Sequence, residues 1–298
     1  MRTRVIDLDG SVATQGPMVA LVEEGLARLI DIRTQASQLR IVARKKAMRK
    51  FAEVLDQPLP GRGPQVTFYG SGDFHHLTAG LVAQFDEPLT IIHIDNHPDW
   101  VRFPPTFNCG AWVNRALELP QVRKIITLGP CSDDLKLPEF KGANLGAIAT
   151  GRLELFPWRA APSRIFGAGT GAQHMHWRNI ADEPFERFLE DIVDKIPTKA
   201  IYITIDKDVL GEDEAITNWD QGEMKLAHVE AAVTALAQSA KILGIDVCGD
   251  YSAPRFGDPF RATLAWFDHP AASNPTDTQL AVNARTNAAL LDTFRRVL

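Results

Sequence analysis

The stretch LTIIHIDNHPDW (89–100) joins an apolar, β-branched run to ionisable side chains at every second position, namely His93, Asp95, His97 and Asp99. Ionisable groups set against a dry strand lose their hydration, which is costly unless opposite charge lies among them. Imidazole and carboxylate groups together suit divalent metals such as manganese better than metals that require thiolates. The stretch therefore predicts a metal site at the end of a buried strand.

Two other ionisable clusters also follow strand-like sequence. GSGDFHHLT (70–78) comes after a predicted strand at 65–70, and TIDKDVL (204–210) comes after one at 199–205. In open parallel sheets, functional groups gather beyond the carboxyl ends of the strands. The three clusters together supply about four carboxylates and two imidazoles. Because four carboxylates in one crevice repel one another strongly, we expect two divalent cations to balance them.

Alternating strands and helices are predicted to position these clusters. Strands are predicted near 4–8, 65–70, 89–95, 123–128, 145–149, 163–167, 199–205 and 241–247. Helices are predicted near 18–31, 41–55, 76–85, 110–118, 183–195, 223–238 and 276–296. Strands that are apolar on both faces and alternate with helices indicate a parallel sheet covered on both sides. We expect one three-layer α-β-α domain over 1–298, with a mostly parallel sheet of about eight strands.

The composition is that of a globular protein and argues against several classes of function. Of the 298 residues, 45% are hydrophobic and 23% are charged, which is ordinary for a chain with a buried core. The net charge of −5 gives no basic footprint for nucleic acid, and the basic run at 44–50 is expected on a solvated helix face. Three widely spaced cysteines without a C-x-x-C motif fit a reducing cytoplasm. With no signal-like or membrane-spanning apolar segment, we expect a cytoplasmic protein without a membrane partner.

In order and residue type, the three clusters resemble the signatures of the ureohydrolases, the family of arginases and agmatinases. That family carries G-G-D-H, then D-A-H-x-D, then a strand that ends in D-x-D. ITNWDQGEMKLAHVE (216–230) and LGIDVCGDYSAP (243–254) are similar to its later segments, so the resemblance covers roughly residues 65–255. It implies an arginase-like fold, a binuclear centre with manganese as the expected metal, and a small-molecule substrate. Trimers and hexamers are common in the family, so a homo-oligomer is expected.

The resemblance assigns roles residue by residue. The implied metal ligands are His75, Asp95, His97, Asp99, Asp206 and Asp208. Asp95 and Asp206 would bridge or cap the two ions, and one imidazole would bind each ion. The family places its histidine directly after the aspartate, but here Phe74 intervenes, so His76 is an alternative to His75.

The resemblance also implies a reaction. A hydroxide that bridges two metals would attack the trigonal carbon of a guanidine, amidine or linear amide and so break a carbon–nitrogen bond. Asp99 would take the proton and pass it to the departing amine. We expect His93 to orient a metal ligand without binding a metal itself.

Several positions depart from the family pattern. Cys109 replaces the histidine of a histidine–glycine pair assigned to proton shuttling, and it is either a proton carrier or a small filler. Asn108, beside it, is a candidate substrate contact. The acid of the L-D-x-x-E segment falls at Gly249, which leaves Asp250 as a candidate substrate ligand, and His174 is a further candidate for the pocket. The metal ligands are therefore expected to be intact and the substrate pocket remodelled, so arginine is not the expected substrate.

Other interpretations remain open. VIDLDGSV (5–12) matches the nucleophile loop of haloacid-dehalogenase-type phosphatases, with Asp7 as nucleophile and Asp9 as acid. GAGTGA (167–172) fits a weak dinucleotide fingerprint. A family member that binds metals but no longer hydrolyses, and a deacetylase-like amidohydrolase, are alternatives within the same fold.

Overall fold

A computed structural model describes residues 1–102, 107–167, 171–253, 256, 259, 261–263 and 275–298. In chain order the strands are β1 (Arg2–Asp7), β2 (Ala27–Asp31), β3 (Val42–Ala43), β4 (Gln65–Tyr69), β5 (Leu89–Ile94), β6 (Phe107–Asn108), β7 (Val122–Leu128), β8 (Leu153–Phe156), β9 (Ser163–Gly167), β10 (Gly171–Met175), β11 (Ala200–Asp206) and β12 (Lys241–Cys248). Eight of them form a sheet in the order β2-β1-β4-β12-β11-β5-β7-β8. Every pairing in that sheet is parallel.

Helices cover both faces of the sheet. They are α1 (Gly16–Glu23), α2 (Arg33–Leu39), α3 (Lys45–Leu55), α4 (Thr78–Val82), α5 (Trp112–Leu117), α6 (Leu145–Ala149), α7 (Phe185–Asp194), α8 (Leu226–Ser239) and α9 (Asp277–Val297). One hydrophobic core lies under α1, α7, α8 and α9, and the other lies under α2, α3, α4 and α5. Because side chains alternate along a strand, Ile92 packs into the first core and Ile91 into the second. The predicted three-layer α-β-α fold with an eight-stranded parallel sheet is confirmed.

Two of the predicted elements are wrong in detail, and a third lies outside the main sheet. The helix predicted at 18–31 ends at Glu23, because Gly25 adopts a φ of +70° and turns the chain into β2. The strand predicted at 145–149 is instead helix α6, which begins where the Asn144 side chain accepts a hydrogen bond from the Ala147 amide. Strand 163–167 exists, but it pairs antiparallel with β10 in a separate hairpin.

The sheet order places the predicted clusters side by side. The strands β4, β12, β11 and β5 are consecutive neighbours at the centre of the sheet. Since they are parallel, their carboxyl ends lie at the same edge. No helix in the described part of the chain is long and apolar enough to cross a membrane.

The long helix α9 supports this edge from one side. Its N-terminus is closed by a capping box between Thr276 and Gln279. Farther along, the Asn283 amide donates to the Ile216 carbonyl at 2.8 Å and so holds the loop that follows β11.

Candidate metal centre

The six predicted metal ligands meet at the carboxyl edge of three central strands. They comprise three residues just after β5, two at the end of β11 and one in the short 3-10 helix Gly72–Leu77 after β4: Asp95, His97, Asp99, Asp206, Asp208 and His75. His97 is partly exposed and the other five are buried. The strand ends thus bring together residues that are far apart in sequence.

One group of ligand atoms surrounds the imidazole of His75. Its Nδ1 lies 2.9 Å from Asp95 Oδ2, 3.3 Å from Asp99 Oδ2 and 3.5 Å from Asp206 Oδ2. The neighbouring His76 is also buried, but neither of its ring nitrogens has a hydrogen-bond partner and it belongs to none of the candidate metal groups of the described residues. The structure therefore brings His75, and not His76, to the carboxylates.

A second group forms around His97. Its Nδ1 lies 3.0 Å from Asp208 Oδ2 and 3.6 Å from Asp95 Oδ1. Its Nε2 lies 2.9 Å from Asp220 Oδ1. Asp220 was not singled out in the sequence, although it lies within the 216–230 tract that resembles the family.

His93 touches the first group from within the sheet. Its Nε2 lies 2.8 Å from Asp95 Oδ2, and its Nδ1 lies 3.1 Å from the hydroxyl group of Thr127. A histidine held at both ring nitrogens in this way fixes the orientation of a ligating carboxylate. His93 also belongs, with His75, Asp95 and Asp99, to one of the groups of described residues that could hold a metal ion, so its orienting role without a metal bond of its own stays a prediction.

Three of the four buried carboxylates lack enough positive charge, whereas the surrounding histidines hold the pKa of Asp95 well below its usual value. Burial, followed by the neighbouring carboxylate of Asp95, raises the pKa of Asp99 to about 6. Burial also raises the pKa values of Asp206 and Asp208, and the nearby carboxylates add to both shifts. Burial alone would lower the pKa of His75, but the neighbouring carboxylates of Asp95 and Asp99 raise it well above its usual value. The site therefore favours bound positive charge, whether protons or cations.

The buried His75 Nδ1 indicates that a cation fits. It makes no hydrogen bond, although three carboxylate oxygens lie within 3.5 Å. A ring nitrogen surrounded by carboxylates but bonded to none is the arrangement expected of a metal ligand. Two imidazoles with four carboxylates form a donor set that suits a pair of divalent cations.

Asp99 is held in a constrained position. Its φ of +46° lies in the left-handed region, which aspartate tolerates better than most residues. Its Oδ2 accepts a hydrogen bond of 2.6 Å from Trp112 Nε1. Trp112 was not singled out in the sequence, because a tryptophan in a predicted helix is most simply a core residue.

A cavity of about 580 Å³ opens onto the cluster. All six predicted ligands contribute to its lining. Three further acids, Asp133, Asp134 and Asp220, lie on its walls, and Lys141 is the one basic side chain among the described lining residues. Small molecules can therefore reach the ligand atoms through a largely acidic opening.

Comparisons with known proteins agree with this arrangement. No protein-family model matches the chain. An uncharacterised protein of Thermotoga maritima is 26% identical over 185 residues, which cover 62% of this chain and 58% of that protein.

Solved structures give a more complete match. Proclavaminate amidino hydrolase from Streptomyces clavuligerus has a TM-score of 0.58 at 14% identity, covering all of this chain and 92% of its own. A hypothetical agmatinase from Burkholderia thailandensis has a TM-score of 0.56 at 16% identity, covering 99% and 86%. An arginase from Bacillus cereus has a TM-score of 0.55 at 15% identity, covering 84% and 90%. The chain has the ureohydrolase fold. The resemblance predicted from the three clusters is thus confirmed for the fold.

Within this ureohydrolase fold, Gly249 occupies the position predicted to carry an acid in the family. Its φ is +92°, a region that side chains rarely adopt. A Cβ atom at this position would lie 2.6 Å from the Lys207 amide nitrogen and even closer to Asp206 Oδ1. The position therefore requires glycine, because a side chain would displace a predicted metal ligand.

Asp250 is not among the described residues that line the cavity. Its carboxylate is buried and lies 2.7 Å from the Lys207 ammonium group and 2.7 Å from the Gln15 amide. Asn287 on α9 donates to it as well, at 3.2 Å. Asp250, predicted as a substrate contact, is therefore engaged in a buried network of hydrogen bonds and an ion pair.

Of the remaining residues predicted for the pocket, two line the cavity and one does not. Asn108 and Cys109 both line the cavity, and Asn108 Oδ1 accepts a hydrogen bond of 2.9 Å from the Gly110 amide. Cys109 is buried against Ile41 and Val42. His174 is exposed on β10 and is not among the described residues that line the cavity.

The alternative motifs gain no support. Asp7 accepts from the Gly10 amide at 2.9 Å and pairs with the exposed Arg33 at 3.2 Å. Asp9 accepts from the amide and hydroxyl groups of Ser11, so both carboxylates stabilise their own loop. The glycine-rich run 167–172 lies partly outside the described residues.

Proposed function

We propose that the chain is a divergent ureohydrolase that hydrolyses a carbon–nitrogen bond of a guanidine, an amidine or a related linear amide. The observation that carries the proposal is the convergence of the six predicted ligands at the floor of one acidic cavity. The likeness to solved ureohydrolase-fold structures supports it at the level of fold. We further propose one arginase-like domain over 1–298, acting in the cytoplasm on a small molecule as a trimer or hexamer.

The proposed centre uses the two groups around the imidazoles. His75, Asp99, Asp95 and Asp206 would hold one cation, and His97 and Asp208 would hold the other together with the shared Asp95 and Asp206. Two divalent cations, with manganese expected from the resemblance, supply an acidified water molecule and polarise the group that it attacks.

Asp99 is the proposed proton carrier. Its carboxylate lies between the His75 imidazole, 3.3 Å away, and the Trp112 indole N–H, 2.6 Å away. The indole donor fixes the Asp99 Oδ2 atom, which is also the oxygen that faces His75, so the carboxylate is positioned beside the proposed cation. Cys109, on the cavity wall, is a second candidate for proton transfer to the departing amine.

The walls of the cavity support a cationic substrate. Asp220 adds a carboxylate beside the second imidazole, whereas Asp134 pairs with Lys141 at 3.4 Å and Asp133 pairs with Lys136 at 2.6 Å. Arginine is not the proposed substrate, since Gly249 provides no acid and Asp250 is occupied by Lys207. Asn108 is a proposed substrate contact, and His174 is proposed to act from the adjoining hairpin.

Metal analysis coupled to a substrate panel tests the proposal. The purified chain should bind two divalent ions, and it should release urea or ammonia from at least one member of a panel of guanidines, amidines and acylated amines. Asp208→Ala should lose one ion, whereas Asp213→Ala should retain both, because Asp213 is exposed and pairs only with Lys225 among the described residues. A chain that binds no metal would contradict the proposal.

A second candidate function is metal binding without hydrolysis, and the observation that favours it is the side-chain-free position at Gly249. A metal-replete chain that cleaves none of the panel would support this alternative. Release of a carboxylate from acylated amines, without urea or ammonia from the other substrates, would instead support a deacetylase-like amidohydrolase.

A further inference from the structure

Cys248 lies directly beside the proposed metal centre. It is the last residue of β12, is fully buried, and is the register partner of Asp206 on the neighbouring strand β11. Partners in adjacent parallel strands project to the same side of a sheet. Accordingly, the Cys248 thiol sulfur lies 3.2 Å from Asp206 Oδ2.

The same carboxylate oxygen also faces His75. The His75 Nδ1 is 3.5 Å from it, and ligand atoms of His75, Asp206 and Cys248 all lie within 4.8 Å of one another. Around a tetrahedral cation with bonds of about 2.0–2.3 Å, ligand atoms stand roughly 3.3–3.8 Å apart. The sulfur–carboxylate distance of 3.2 Å and the imidazole–carboxylate distance of 3.5 Å are close to this spacing, so the three atoms can approach one ion together.

A chain of hydrogen bonds orients the His75 imidazole as a metal ligand. Thr204 Oγ1 donates to Asp246 Oδ1 at 2.6 Å, so the same hydroxyl oxygen is left to accept from His75 Nε2 at 2.9 Å. In a neutral imidazole that donates through Nε2, Nδ1 carries a lone pair. This buried Nδ1 has no hydrogen-bond partner and faces the carboxylate and the thiol. A carboxylate–hydroxyl–imidazole relay of this kind orients metal-ligating histidines.

We propose that the Cys248 sulfur is an additional ligand, beside His75 and Asp206, of one of the two metal ions. The inference rests on the proposed binuclear centre and extends its ligand set beyond the six predicted residues. On binding, the sulfur–metal bond replaces the S–H bond, and the thiol proton passes to the solvent. If the thiol only donated a hydrogen bond to Asp206, it would keep its proton and make no bond to the ion.

The consequence is a difference between the two positions. Thiolate ligands favour zinc and other softer ions, whereas carboxylate and imidazole ligands also suit manganese. The position at His75 would thus select a softer ion than the position at His97, Asp95 and Asp208, where the described ligand atoms are nitrogen and oxygen.

Cobalt substitution of the full chain tests this directly. The chain loaded with two Co²⁺ ions should show a sulfur-to-cobalt charge-transfer band in the near ultraviolet. Cys248→Ser should lose the band, and its affinity for Zn²⁺ relative to Mn²⁺ should fall about 10-fold or more at one position. Cys131→Ser is the matched control, because the Cys131 thiol faces the Gly129 carbonyl and belongs to no candidate metal group of the described residues.

The outcomes separate the two proposals. Two bound Co²⁺ ions without the band, or a band that persists in Cys248→Ser, would overturn the thiolate ligand and leave the binuclear centre standing. Absence of bound metal would overturn both. The spectrum of the unsubstituted chain decides the question even if Cys248→Ser does not fold, and Cys248→Ala gives a second variant without sulfur.

Discussion

Replacing Gly249 by alanine should destabilise the chain and weaken metal binding together. The backbone at Gly249 has a φ of +92°, where a non-glycine residue costs about 1–2 kcal/mol. The new Cβ would also lie 2.6 Å from the Lys207 amide nitrogen and closer still to Asp206 Oδ1. Relieving such overpacking typically costs about 1–3 kcal/mol. We therefore expect Gly249→Ala to lower the free energy of unfolding by about 2–5 kcal/mol in total.

The structure offers a matched control for the backbone part of this cost. Gly25 has a φ of +70°, and a Cβ there would meet no atom within 4 Å. Gly25→Ala should therefore lose only the strain of about 1–2 kcal/mol. Urea unfolding of both variants in chelator isolates the overpacking at Asp206, since no metal contributes under that condition.

Metal affinity provides the second measurement. Asp206 Oδ1 also accepts a hydrogen bond of 3.1 Å from the Asp208 amide, so the alanine at 249 would disturb both carboxylates. Displaced supporting contacts typically cost 10–100-fold in metal affinity, and we expect about that loss for Gly249→Ala by calorimetric titration. Equal unfolding free energies for the two variants, together with unchanged metal affinity, would refute the argument.

Three other measurements test the network around the site. Lys207→Met should lower the free energy of urea unfolding by about 3–5 kcal/mol, because it leaves the buried carboxylate of Asp250 without its ammonium partner. The double variant with Asp250→Asn should lose less stability than the two single variants added together, and strict additivity would contradict the pairing. Trp112→Phe removes the indole N–H that donates to Asp99, and a hydrogen bond to a charged acceptor contributes about 1.5–3 kcal/mol. Turnover should therefore fall about 10–100-fold at unchanged metal content, and unaltered turnover would argue against Asp99 as proton carrier. Metal at about 100 times its dissociation constant should raise the unfolding free energy by about 2.7 kcal/mol per site over the chelated chain, and identical unfolding curves would exclude binding to the folded state.

The sequence predicted the frame because its signals are local. The buried strands at 89–95 and 199–205 carry continuous apolar runs, and both are close to the observed β5 and β11. The errors arose where a single residue overrides an apolar pattern. Gly25 divides a predicted helix into a helix and a strand, and Asn144 caps a helix in a run that was predicted to be a strand.

The site residues also fall into two groups, those that could be predicted from local sequence and those that could not. The carboxylates Asp95 and Asp206 follow strands directly, so their convergence could be deduced from the parallel sheet alone. Asp220 and Cys248 could not be assigned in this way. Asp220 reaches His97 across 123 positions of sequence, and Cys248 reaches Asp206 only because β12 lies next to β11. Contacts of this kind depend on strand order and loop paths, which no spacing in the sequence encodes.

The position of Gly249 limits what the substrate can be. An acid there would occupy the space of Asp206 Oδ1, so this chain cannot both hold that carboxylate in place and carry the family's acid at the same position. The carboxylate of the next residue, Asp250, is engaged by Lys207 at 2.7 Å, and Asp250 is not among the described residues that line the cavity. Under the proposed function, a cationic group of the substrate would instead meet other acids that line the cavity, such as Asp220, which lies 2.9 Å from the imidazole of His97. A substrate held in this way would not be arginine, because Gly249 offers no carboxylate and the carboxylate of Asp250 is engaged by Lys207.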